Sequence, residues 1–98
     1  MNQEIFAVYI LTNKYNRVLY TGFTINLYQR VLDHKNKTVK SFSSRYNVYK
    51  LVYYEFYANG DDARERERQL KGGSRQKKID LINKLNPNWD DLFDALSY

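Results

Sequence analysis

The chain has no cysteine among its 98 residues. That absence excludes a disulfide scaffold, thiolate zinc sites, iron–sulfur clusters and cysteine nucleophiles. Histidine is nearly missing as well: His34 is the only one, so a metal site built from several histidines is impossible. No apolar run approaches the roughly 20 residues of a membrane-spanning helix. The opening MNQEIFAVYILTN lacks the basic n-region and long apolar core of a signal peptide. Internal repeats, low-complexity tracts, linkers and Gly-rich phosphate loops of the Walker or dinucleotide type are all missing. A small, soluble, cytoplasmic protein with no membrane partner is expected.

What is present suits one packed unit. Hydrophobic residues make up 43% and charged residues 28%, a balance that argues against disorder. The length predicts a single domain over 1–98. Sixteen Lys and Arg against eleven Asp and Glu leave a net charge of +5 and a pI near 9.4. That excess points to an anionic partner.

Residues 5–12 (IFAVYILT) read as a strand apolar on both faces, hence central. Polar turn residues 13–17 lead to a second strand over 18–23 (VLYTGF), which suits an antiparallel hairpin. The period then changes. Asn26 and Gln29 form a capping-box arrangement before a helix over about 26–36, with Leu27, Val31 and Lys35 on one face and Arg30 and His34 on its neighbour. Residues 37–47 read as a loop rich in Lys, Ser and Arg, and 48–56 (VYKLVYYEF) as a third strand. Asp61 and Asp62 open a helix with Ala63, Glu67, Leu70 and Lys71 on one side, ended by Gly72 and Gly73. Ser74 caps a third helix with the apolar stripe Ile79, Ile82 and Leu85, stopped at Pro87, and Asp90 opens a terminal turn. The order β-β-α-β-α-α predicts an α+β fold, a three-stranded antiparallel sheet flanked by helices.

Phosphodiester cleavage needs a phosphate clamp, an activated water and a cation against developing charge. Arg30 offers a planar fork for phosphate oxygens, and His34, four residues on, can exchange a proton near neutral pH. Each reads equally as a surface or packing residue. Tyr9 and Tyr20, on the two hairpin strands, are either water-positioning hydroxyls or ordinary sheet tyrosines. Glu67 stands within ARERERQLK, a run that a solvated ion-paired helix also explains. Its place beside Ala63 and Leu70 puts it on the packed side, where a lone carboxylate with water and substrate oxygens suits Mg²⁺ or Mn²⁺. Lys71, Arg75, Lys77 and Lys78 extend the positive charge and could hold a nucleic-acid backbone.

In order along the chain, these blocks resemble the GIY-YIG nuclease superfamily, notably its small single-domain members related to the N-terminal nuclease module of the UvrC repair protein. The first signature tripeptide stands as Ala7-Val8-Tyr9 and the second as Tyr20-Thr21-Gly22. LYQRVLDHK, LVYYEF, ERERQLKGGSRQKKIDLI and NPNWDDL continue the pattern from about Phe6 to Leu92. The resemblance implies a metal-binding role for Glu67, with Glu65 merely its neighbour. It gives Tyr9 and Tyr20 the cleft and its attacking water, Arg30 the phosphate, and His34 a place near the nucleophile. It makes Gly22 a point of close backbone approach. Ala7 and Thr21 stand where the signatures have glycine and isoleucine, and Gly73 where small members often have tryptophan, which predicts a looser junction between the second and third helices. An asparagine after the glutamate helix is a further family feature, open here between Asn86 and Asn88.

The resemblance implies a divalent-metal-dependent endonuclease acting on DNA, single-stranded or structured duplex, in a setting such as DNA repair. A basic nucleic-acid-binding module without turnover, or a small interaction subunit on the same fold, are the alternatives.

Overall fold

The computed structural model describes residues 5–36 and 46–96, so the predicted basic loop lies largely outside the described residues. Strand β1 (Phe6–Thr12) is the middle of a three-stranded sheet of order β2-β1-β3, between β2 (Leu19–Thr24) and β3 (Lys50–Tyr57), both antiparallel to it. Its apolar run on both faces explains that position: Ala7 to Leu11 are all fully buried. The hairpin turn is closed by Asn13, whose side-chain oxygen accepts from the backbone N–H of Arg17 at 2.7 Å and of Val18 at 3.3 Å. Asn16 takes the left-handed conformation that asparagine tolerates. A register shift between Ile10 and Leu11 kinks the pairing with β3.

Period-two alternation sends Ala7, Tyr9 and Leu11 to one face, where they join Leu27 and Val31 of helix α1 (Leu27–Lys35) in one apolar cluster. Val8 faces the other way onto Ala63 and Leu70 of α2 (Gly60–Gly72), and Ile10 clusters with Ile82 of α3 (Arg75–Leu85). The sheet is thus covered by α1 on one side and by α2 and α3 on the other. The predicted order of strands and helices is the observed one.

Several local expectations change. Asn26 caps α1 as predicted, but the Gln29 amide donates to Asp33 at 2.9 Å rather than back to the cap, so the box does not close. The cap of α2 is Asn59; Asp61 and Asp62 donate their backbone N–H groups to it and add carboxylates to the first turn. Gly60 fixes that start, since a Cβ there would press on the Phe6 ring at 3.2 Å. Helix α2 ends without a left-handed glycine, and the junction at Gly73 is tied rather than loose, because Lys78 Nζ donates to the Gly73 carbonyl at 3.0 Å. On α3 the packed residues are Leu81 and Ile82, while Leu85 is 67% exposed. The terminal turn Leu92–Ala95 is capped by Asp91 instead of Asp90, whose backbone is held on both sides by the Asn86 amide.

Candidate active site

Three elements deliver three rings to one place. Tyr9 is buried at the centre of β1, and Tyr20 lies diagonally across from it on β2, on the same face. Helix α1, seated by Leu27 and Val31, brings His34 down onto that face, only 4% exposed. Ring centroids are 6.3 Å apart for Tyr9 and Tyr20, 6.2 Å for Tyr9 and His34, and 5.4 Å for Tyr20 and His34. The Tyr9 hydroxyl stands 3.4 Å from His34 Nε2. Gly22 pairs directly with Tyr9 across the hairpin, and its missing Cβ makes room for the phenol. A Cβ would come within 2.9 Å of Tyr9 Cε1, and closer still to Cζ and the oxygen. A tyrosine can lie flat across β2 only because residue 22 has no side chain.

Charge converges on the same point. Burial, reinforced by Tyr20, pushes the Tyr9 phenol well above its ordinary range; the Arg30 guanidinium opposes this and the Glu67 carboxylate adds to it. Burial, then the Arg30 charge, holds His34 below 6.5, with Asp33 pulling the other way. Of the two charged groups, Arg30 on α1 weighs more on the Tyr9 phenol, and Glu67 on α2 has the smallest influence. Glu67 lies on the packed side of α2, its side chain 18% exposed, and takes Lys71 Nζ at 2.9 Å as its partner. Glu65 pairs instead with Arg68 on the solvent side.

Arg75 is committed elsewhere, donating to the Arg17 carbonyl at 2.7 Å, while Lys77 is exposed. Asn86 is buried, donating to the carbonyls of Val52 at 3.1 Å and Asp90 at 2.9 Å and accepting from Asp90 N–H. That is a clamp between α3, β3 and the terminal turn. Asn88 is exposed in the turn after Pro87. Sequence reasoning missed a second charged centre. Tyr53, Glu55 and Tyr57 alternate along β3, and Arg66 of α2 reaches the Glu55 carboxylate through Nε at 3.0 Å and Nη2 at 3.1 Å. The i, i+2, i+4 spacing on the strand was the available signal.

Comparison with known proteins adds a family. Residues 5–80 match the model of the GIY-YIG catalytic domain. The chain belongs to the GIY-YIG family. A UPF0213 protein of Clostridium perfringens is 40% identical over 76 residues, covering 78% of this chain and 81% of that protein. A UPF0213 protein of Syntrophus aciditrophicus is 36% identical over 81 residues, covering 82% and 91%. The solution structure of a UPF0213 protein from Bacillus halodurans superposes with a TM-score of 0.57 over 96% of this chain and 99% of that one; at 22% identity it speaks for the fold alone. GIY-YIG membership supports an endonuclease-type activity. No described helix is long and apolar enough to cross a membrane.

Proposed function

We propose that this GIY-YIG chain is a divalent-metal-dependent endonuclease that hydrolyses phosphodiester bonds in DNA. The observation that carries the reading is the convergence of Tyr9, Tyr20 and His34 from β1, β2 and α1 around the Gly22 notch, with the Arg30 charge bearing on both Tyr9 and His34.

The donor set fits magnesium or manganese held by a single carboxylate. Among the described residues no group of three His, Cys, Asp or Glu side chains converges, which argues against a cage built wholly from protein. Glu67 is half-buried and its ion-pair partner among the described residues is one well-exposed lysine, Lys71, so its carboxylate would hold Mg²⁺ or Mn²⁺, the remaining positions going to water and phosphate oxygens. When bound, the ion offsets charge on the phosphate oxygens and the leaving group. Arg30 binds the scissile phosphate as a bidentate fork. His34, whose neutral form is favoured by burial and by the Arg30 charge, accepts the proton of the attacking water. Tyr9 remains a protonated phenol and orients the His34 ring and the water, with Tyr20 closing the third side.

The test is cleavage of matched single-stranded, duplex, flap and nicked DNAs with Mg²⁺, Mn²⁺ or EDTA. EDTA-sensitive cutting is expected. Binding without cutting in every metal would make the chain a non-catalytic module. The acid limb of kcat/KM should fall below pH 6.5, since His34 must be unprotonated to act; a limb at or above 6.5 would remove His34 as the base.

A further inference from the structure

At the free edge of β2 a hollow of about 350 Å³ is lined by Leu19, Tyr20, Thr21, Lys71 and Lys78. Tyr20 connects it to the catalytic rings, and Lys71 connects it to Glu67. Thr21 is 7% exposed, and its hydroxyl oxygen is buried with no hydrogen-bond partner among the described residues. Buried hydroxyls nearly always find a partner, and leaving one unpaired is destabilising. The GIY-YIG signature has isoleucine here, which would fill the strand position without that cost, so the hydroxyl calls for a reason. Both lysines keep capacity for an anion. Lys78 Nζ gives one of its three N–H bonds to the Gly73 carbonyl, and Lys71, more than half exposed, holds only the Glu67 carboxylate among the described residues.

Resting on the endonuclease reading above, we propose that Thr21, Lys71 and Lys78 form a subsite for a second phosphodiester group of the substrate, beside the one held by Arg30. The Thr21 hydroxyl donates to a non-bridging oxygen and the two ammonium groups balance its charge. The occupant is a polymer strand rather than a free anion, because the hollow does not end there. Lys78 also lines a larger groove of about 720 Å³ between α2 and α3, where Lys77 and Lys84 lie two helical turns apart. Arg66 and Arg68 on the opposite wall are matched by Glu55 and Glu65, so the groove's unmatched positive charge rests on the lysines, facing Asp80. A backbone leaving the cleft past Lys78 runs into a cationic channel.

The experiment is a scan of single methylphosphonate substitutions along an oligonucleotide, read as Kd in EDTA for the wild-type chain, Thr21→Val and Lys78→Ala. Valine keeps the shape and β-propensity of threonine, and alanine favours the helix, so both variants should fold. In the wild type, one position beside the scissile phosphate held by Arg30 should, besides that phosphate itself, weaken binding about tenfold, the scale of a hydrogen bond to a charged group. In Thr21→Val and Lys78→Ala the all-phosphate strand should already bind several-fold more weakly, and the methylphosphonate at that position should cost little more. Lys78→Ala should also reduce the salt slope by about 0.7 to 0.9. Thr21→Val binding as the wild type does, with the same methylphosphonate profile, would overturn the subsite. Displacement of the strand by millimolar inorganic phosphate from that position alone would overturn the polymer occupant. If the scan succeeds and the wild type cuts nothing with metal, the subsite stands and the endonuclease reading falls. If the wild type cuts and the scan is flat, the endonuclease stands and the subsite falls.

Discussion

Glu55 and Glu67 are both half-buried carboxylates, 19% and 18% exposed, and each has a cation at hand. Their surroundings differ in kind. Glu55 accepts from the hydroxyls of Tyr53 and Tyr57 and from two nitrogens of the Arg66 fork. Glu67 has a single lysine at 2.9 Å, on a flexible stem with an ammonium largely in water. A guanidinium fork with two phenols saturates a carboxylate and fixes its geometry. One lysine can depart and be replaced by another cation. The first arrangement fastens α2 to β3, and the second leaves a carboxylate free to exchange its partner. The role proposed for Glu67 depends on that freedom.

The contrast between the two carboxylates is tested most severely at Glu67. Glu67→Ala should cut cleavage by on the order of 10²–10³ with little change in Tm, since alanine suits the helix. Turnover like the wild type would return Glu67 to an ordinary ion pair. Glu55→Ala should do the reverse. It should cost about 2 kcal/mol in urea unfolding, less than a fully buried pair because both Glu55 and Arg66 keep some solvent, while the folded fraction still cuts. The pH dependence sharpens this. Burial alone would raise the Glu55 carboxyl, but the Arg66 fork and the two phenols outweigh it and hold the group below 4.5. Its contribution is therefore complete above the unfolded value and is lost as pH falls through the lower folded one. Below pH 4.5 the wild type should lose stability more steeply than Glu55→Gln; parallel curves would show that the centre is not coupled to folding.

Smaller effects follow at the partners. Lys71→Ala removes the cation that competes for Glu67. The Mg²⁺ concentration that half-saturates the DNA-free chain should fall by up to about fivefold, the equivalent of an exposed ion pair. A rise would mean that Lys71 helps to hold the ion's site rather than to block it. Glu65→Ala, whose pairing with Arg68 is on the solvent side, should match the wild type in both Tm and cleavage.

How much of this the sequence could disclose depended on the range of each interaction. The two-sided apolar run of β1, the switch of period after Thr24 and the spacing of Arg30 and His34 are local, and the structure keeps all three. Glu67 on the packed side of α2 also followed from periodicity. Caps were legible as residue types but not as positions. Asn59 wins over the two aspartates because Gly60 must pass under Phe6, and Asp91 caps the last turn because Asp90 is held by Asn86. Asn86 itself could not be assigned from spacing, since its partner Val52 is 34 residues away. Choosing Arg66 over Arg64 or Arg68 for Glu55 needed the phase of α2 against β3. Arg64 instead lies over the Phe23 ring at 4.4 Å.

The side chain of Asp91 accepts from Leu51 N–H at 3.2 Å and pairs with Lys35, the residue after His34, across 56 positions of sequence. The tail of α1 is thus moored from the far end of the fold. During synthesis, Tyr9, Tyr20, Arg30, His34 and Glu67 all leave the ribosome before Asp91 does. A nascent chain paused short of that residue holds every proposed reacting group, yet its α1 is seated by Leu27 and Val31 without the Lys35–Asp91 tie. Within residues 5–96, therefore, the tie that holds the tail of α1 is made only after the proposed reacting groups it steadies.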